Sequence, residues 1–205
     1  MAPRKKPATK YHHGDLRAAL LSAAWTAVTK KGLESLSLRS LAETLGVSHA
    51  APAHHFKDRN ALLEALRAEA FRRFADAIEA GAKTGELDGM GVSYIRFAME
   101  HPRQMQLMLR EGETELGPEV MEQSMRAWQV LVSAVATQIG PTRAADEREL
   151  HSMALATWAM VHGLAGLWTQ VRLPPGVPKS GPDAEGLQRR AIATLLAGVA
   201  HPPRR

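Results

Sequence analysis

The sequence has no cysteine among its 205 residues, which excludes disulfides and thiolate metal sites. Aromatic residues make up only 5% and strand formers are scarce, while Ala and Leu dominate, so an all-α protein is expected. No apolar run reaches the length needed to span a bilayer as a helix, so no membrane segment is expected. The opening "MAPRKKPATK" is basic, but no apolar core of a secretory signal follows it. Together these absences predict a soluble, cytoplasmic protein. What is present is a globular composition, 45% hydrophobic and 23% charged, enough for a packed core.

Charge is unevenly placed. Residues 1–67 hold 11 Lys and Arg against 5 Asp and Glu, whereas residues 68–205 hold 15 against 16. The whole excess of the net +5 therefore sits in the first third. A basic head on a near-neutral body suits a polyanion-binding module joined to a part with another task. A merely solvated basic surface is the alternative.

The punctuation of the chain gives its helices. Residues 1–10, with two prolines and four basic residues, read as a disordered arm. A first helix runs from about Asp15, an N-cap candidate, to Lys31, with Leu16, Leu20, Ala23, Ala24, Ala27 and Val28 on its apolar face and Gly32 as its stop. Ser37 is a good N-cap for a short second helix bearing Leu38, Leu41, Ala42 and Leu45 on one face. Gly46 then permits a left-handed turn and Ser48 offers a cap for a third helix. Two capped helices about a Gly-containing turn make a helix-turn-helix unit. Asp58 caps a fourth helix with Leu62, Leu63, Leu66, Ala70 and Phe74 facing inward. The remainder reads as further helices separated by Pro102, Pro118, Gly140-Pro141 and a Pro/Gly loop, about nine in all.

The stretch "GVSHAAPAHHF" carries three histidines and no Lys or Arg. Adjacent imidazoles, as at His12-His13 and His54-His55, diverge by about 100° on a helix. The i, i+4 pair of metal-binding helices is absent, so no metal and no cofactor is expected. His49, Ala50 and Ala51 open the third helix, the part of a recognition helix that faces base edges. An imidazole can bond guanine N7 and an alanine methyl can touch a thymine methyl. Pro52 removes one N–H and biases Ala51 away from helical angles, so an irregular first turn or a late helix start is expected. Ser37 and Ser48 offer hydroxyls and helix N-terminal amides to phosphate; Arg39, Lys57 and Arg59 supply charge. His54 and His55 complete the candidate DNA-contacting set with a pH-sensitive contribution. Arg4–Lys6 with Tyr11 and His12 could reach a minor groove. An ordinary surface helix is the bland alternative for the whole stretch.

The order of "YHHGDLRAALLSAA", "LSLRSLAETLGVS" and "HFKDRNALL" resembles the TetR family of transcriptional regulators, and "TWAMVHGLAGLW" resembles the Trp-His-Gly group of its ligand-binding domains. After the arm over 1–10, the resemblance implies a helix-turn-helix DNA-binding domain over 11–60 and a ligand-binding and dimerisation domain over 61–205. It also implies a homodimer on a near-palindromic double-stranded DNA operator, most often a repressor released by a small, mostly apolar effector. Two positions depart from the family pattern. Ala53 stands where a phosphate-binding aromatic residue, commonly Tyr, is usual, and Arg59 stands where Lys is usual.

In the body, Phe97, Met105, Met108, Trp128 and Trp158, with His162 as a lone polar group, are the effector-site candidates; each is also an ordinary core or structural residue at helical spacing. Ala154, Thr157, Trp158, Val161 and Leu164 form one face of the long helix. On another face Ala156, Ala159, Gly163 and Gly166 permit close helix approach, and with Ile192, Leu195, Leu196 and Val199 they suggest a four-helix dimer interface. No Ser/His/Asp, paired-carboxylate or metal-spaced constellation emerges, so no catalytic residue is assigned and the protein is read as no enzyme. Sequence-independent nucleic-acid binding, and an enzyme on an all-α body, are the competing readings.

Overall fold

The computed structural model describes residues 13–83, 87–109, 116–171 and 173–200; the side chains of residues 13–15, 195 and 198–200 fall outside it, as do the 1–10 arm, Tyr11 and His12. Among the described residues there are nine α-helices, two short 3-10 turns and no strand. The chain divides into two compact units, residues 1–66 and 67–205. The division lies inside a helix, after Leu66. The buried Leu62, Leu63 and Leu66 thus belong to the first unit.

In the first unit, helix α1 (His13–Lys31) buries Leu16, Leu20, Ala24 and Val28, a stripe at four-residue spacing. It is already helical at His13, so Asp15 is not its N-cap. Gly32 ends it with φ 82° and ψ 171°, a positive-φ conformation outside the left-handed helical basin that glycine alone adopts without strain. After a 3-10 turn at Leu33–Ser35, Ser37 caps α2 (Leu38–Leu45), its hydroxyl accepting from the Ser40 N–H at 3.1 Å. Gly46, at φ 66° and ψ 29°, closes α2: its N–H donates to Glu43 O at 3.3 Å and the Val47 N–H to Ala42 O at 3.1 Å. These paired back-bonds satisfy the last carbonyls of α2 and aim the chain into the turn.

The expected third helix contracts to a single 3-10 turn, Ala51–His54, preceded by a turn at His49 and Ala50. Its bonds span three residues: Ala51 N–H to Ser48 O, Ala53 N–H to Ala50 O and His55 N–H to Pro52 O. Pro52 is the cause. An α-helix starting at Ser48 would need an N–H at position 52, and proline has none. Its ring is instead fully buried, pinning the turn to the core beside Phe56.

α3 (Arg59–Ala82) begins with Asp58, whose carboxylate accepts from the Ala61 N–H at 2.8 Å, and runs through the division into the second unit. There α4 (Leu87–Glu100) is buried on most faces and packs against α8 (Glu147–Gln170) and α9 (Pro182–Ala200); α6 (Pro118–Ile139) packs against α8. α5 (Pro102–Met108) and the four-residue α7 (Pro141–Ala144) turn corners, each with proline in its first turn. Asp146 caps α8 by accepting from the Arg148 and Glu149 N–H groups. Two glycines permit the closest approaches. A Cβ on Gly91 would lie 3.0 Å from Ile192 Cδ1, and one on Gly81 would lie 2.7 Å from the Gly89 carbonyl oxygen and against Ser93 Oγ.

Charged pairs tie α3 to α6. Arg126 donates to Glu79 through Nε and Nη2 at 2.8 and 2.6 Å and reaches Asp76 at 2.8 Å. Along α3, Arg72 and Arg73 both bond Glu69. The Arg72 hydrogen bond holds the Glu69 carboxyl below the usual carboxylate range, against an opposing push from burial.

Candidate functional site

The exposed part of the turn region is Ser48, His49, Ala50, Ala53, His54, Lys57 and Asp58. Ala51 and His55 are half-buried. The exposed surface therefore has small side chains and imidazoles at its tip, with one lysine alongside. Ala53 points to solvent, so the place of the family's aromatic residue is an open surface position rather than a filled one. Ser48 is exposed but caps no helix; its backbone carbonyl is what accepts from Ala51.

Among the expected phosphate anchors, Arg39 is exposed, its side chain 80% accessible and paired with Glu43 at 3.2 Å. Such an exposed pair is worth well under about 1 kcal/mol and exchanges readily for a phosphate. Ser37 is committed as a cap. Arg59 has partners inside the protein. Its Nε donates to Leu36 O at 3.0 Å and its Nη2 to Leu33 O at 2.8 Å, so the guanidinium fastens the start of α3 to the 3-10 turn before α2. Three of its five N–H groups remain for other partners, but the planar fork is spent on the protein's own backbone. The Arg17 guanidinium sits 5.5 Å over the Phe56 ring, a cation–π contact that closes the other side of the turn.

The second unit encloses a cavity of about 330 Å³ between α3, α4, α5, α6 and α8. Its wall is Phe71, Phe74, Tyr94, Trp128 and Trp158 with four methionines, among other apolar residues. No charged side chain lines it among the described residues. Of the effector-site candidates, Met105, Met108, Trp128 and Trp158 line it. Phe97 and His162 are corrections: neither lines the cavity. Phe97 is buried against Phe74, with ring centroids 5.3 Å apart, and against His101 at 4.8 Å. His162 Nδ1 lies 2.8 Å from the Tyr94 hydroxyl; it holds a wall residue in place rather than forming wall. Burial pushes the Tyr94 phenol up, partly offset by a hydrogen bond from Trp158. Sequence reasoning missed Phe71, Phe74, Met90, Met125 and Thr157 as wall. Helical spacing marks Phe74 and Thr157 as inward-facing, and only the packing decides whether an inward side chain meets another side chain or a void.

The small-residue face of α8 is open. Ala156, Ala159 and Gly163 are exposed and Gly166 is half-buried, flanked by Leu155 at 55%, Leu167 at 43% and Val171 at 50% exposure. Ile192 and Leu196 are corrections as interface residues. They are 2% and 6% exposed and packed inside their own protomer, Ile192 against the Gly91 backbone. The side chains of Leu195 and Val199 lie outside the described residues.

The first unit carries the elements of a helix-turn-helix nucleic-acid module; the second is an all-helical body with an apolar cavity, the build of a DNA-binding regulator. Residues 87–197 match the family described as "Tetracyclin repressor-like, C-terminal domain", and residues 20–66 match "Bacterial regulatory proteins, tetR family". The HTH-type transcriptional regulator BetI of Cronobacter sakazakii is 26% identical over 200 residues, covering 90% of this chain and 92% of that one. A protein of unknown function from a Rhodococcus species shares 32% identity, with 95% of this chain and 100% of that chain covered and a TM-score of 0.75. The fold is also that of the TetR family regulator PfmR from Thermus thermophilus, at 22% identity, 87% and 97% coverage and TM-score 0.58. The chain belongs to the TetR family of transcriptional regulators. That family consists of DNA-binding regulators rather than enzymes, and its members bind operators and typically dimerise. No described helix is long and apolar enough to cross a membrane.

Proposed function

We propose that this protein is a ligand-responsive repressor, cytoplasmic and dimeric, released from a near-palindromic operator when a small, mostly apolar effector fills the second unit. The cavity carries the reading: about 330 Å³ of apolar space with no charged wall residue described is within the size of natural ligand sites. A core without such a purpose would close it, since a void forfeits packing energy. α3 supplies the link. One continuous helix contributes Leu62, Leu63 and Leu66 to the first unit and Phe71, Phe74 and Ile78 to the cavity wall. A ligand that displaces those phenylalanines acts on the helix that also builds the DNA-binding unit. A coupling of about 1–3 kcal/mol changes operator affinity roughly 5–150-fold.

In this reading residues 1–66 form the DNA-binding unit, with His49, Ala50 and Ala51 at base edges and Arg39, Lys57 and the helix N-termini at phosphates. Trp158, His162 and Gly163 resemble the signature of the Trp-His-Gly group, which supports assigning the body to it. The dimer forms on the α8 face of Leu155, Ala156, Ala159, Gly163 and Leu167, whose exposure in the single chain marks it as a surface to be covered.

The experiment is binding to the DNA flanking the gene and to scrambled DNA, at two salt concentrations. Preference for the flanking duplex supports the regulator. Equal affinity at both salts refutes it and favours sequence-independent binding.

A further inference from the structure

Thr157 is the one feature of the cavity wall that packing alone does not explain. It is 1% exposed, lines the cavity from α8, and its Oγ1 has no hydrogen-bond partner. A threonine inside a helix ordinarily bonds back to the carbonyl four residues earlier, as Thr169 does to Ala165 O at 2.8 Å on the same helix. Thr157 does not. A buried hydroxyl without a partner is destabilising, so valine at this site would be the better packing residue unless something meets the oxygen. The other hydroxyls in the wall are committed: Tyr94 to His162 and Trp158, and Ser124 to Met121 O at 3.0 Å.

The wall also limits the charge of what enters. A carboxylate or an ammonium would leave water for a space with no described counter-ion, and the cost of that desolvation disfavours both. The five aromatic rings offer a cation some compensation; they offer an anion none. The rim is different from the floor. Leu109, Met125 and Trp158 line the cavity yet are 44%, 45% and 41% exposed, so an apolar end can reach the surface there while the polar end sits at Thr157. At roughly 30 Å³ for each water-sized group, the volume admits on the order of ten non-hydrogen atoms.

We propose that the cavity takes a neutral, predominantly apolar molecule of about this size bearing a single hydroxyl or carbonyl group, which hydrogen-bonds Thr157 Oγ1. This assignment deepens the reading of the second unit as an effector site and rests on it.

The test uses the full-length protein and four probes of similar size: 4-butylphenol, butylbenzene, 4-propylbenzoate and 4-propylbenzylammonium. Binding is read by calorimetry and by the emission of Trp128 and Trp158, which face the cavity. 4-Butylphenol is expected to bind at least tenfold tighter than either charged probe. Thr157→Val should weaken the phenol about tenfold and leave butylbenzene unchanged, and Thr157→Ser should restore the phenol. Thr157→Val should also melt no lower than the parent, because it removes an unsatisfied group, so lost binding cannot be assigned to lost folding. An unchanged phenol-to-butylbenzene ratio in Thr157→Val overturns the assignment. So does tighter binding of the benzoate or the ammonium, or no binding by any probe. DNA affinity measured with and without 4-butylphenol separates the two readings. Binding in the expected pattern with no effect on DNA upholds the cavity assignment and removes the effector role. Release of DNA by a charged probe that outcompetes the phenol does the reverse.

Discussion

Arg59 gives the sharpest separation between a structural and a nucleic-acid role. Its two bonds to the Leu33 and Leu36 carbonyls, at 2.8 and 3.0 Å in a partly buried setting, are charge-assisted. Hydrogen bonds to charged groups are worth about 1.5–3 kcal/mol each, less where water reaches the site. Discounting both for that access, Arg59→Ala should destabilise the first unit by about 2 kcal/mol. For a unit of this size, each kcal/mol moves the midpoint by about 4–8 °C, so thermal melts followed by circular dichroism should fall by roughly 8–16 °C. Arg59→Lys should lose about half as much, because an ammonium cannot span two carbonyls as a planar fork does. Below the melt, the salt dependence of DNA binding should be unchanged in both variants. An unaltered midpoint together with a salt slope reduced by about one, the signature of a lost phosphate contact, would refute the clamp.

The other expectations are separate. His49→Ala should change which duplex is preferred, whereas Arg39→Ala should weaken binding to all duplexes alike and lower the salt slope by about one; identical behaviour of the two in a binding titration refutes the split between base and phosphate contacts. Ala53→Tyr, at an exposed position, should tighten DNA binding severalfold with the salt slope unchanged, because a neutral hydroxyl displaces no counterion, and no change in affinity would mean that the chain docks without that anchor. Gly81→Ala should destabilise by about 1–3 kcal/mol in a denaturant titration, since the Gly89 carbonyl backbone cannot retreat from a Cβ at 2.7 Å. Glu69 has a lowered folded-state pKa, so its stabilising contribution is complete above the ordinary glutamate pKa and disappears as pH falls through the folded value; the stability gap between parent and Glu69→Gln should narrow across that acid window and stay flat above it.

Much of this was legible before any coordinates. Ser37, Gly46 and Asp58 act through the backbone within a few residues of themselves, so their capping and turning could be read from residue type and spacing alone. Pro52 is local too: a missing N–H forbids the α-helical bond there wherever the stretch lies, although how far the third helix would shrink could not be told. Arg59 was not legible in the same way. It sits at the start of a helix in a basic head and looks like a phosphate ligand; its real partners are 23 and 26 residues earlier in the chain.

The same distinction holds in the second unit. Residue type and periodicity, being properties of one helix, determined the all-α class, the two-part charge distribution, the helix-turn-helix and the inward-facing stripes of the body. Tertiary structure decided where two stripes meet tightly and where they stand apart. That is why Ile192 closes on Gly91 while Thr157, on a stripe of the same kind, faces open space. A void is a property of several helices at once, set by volumes and crossing geometry that no single stretch of sequence contains.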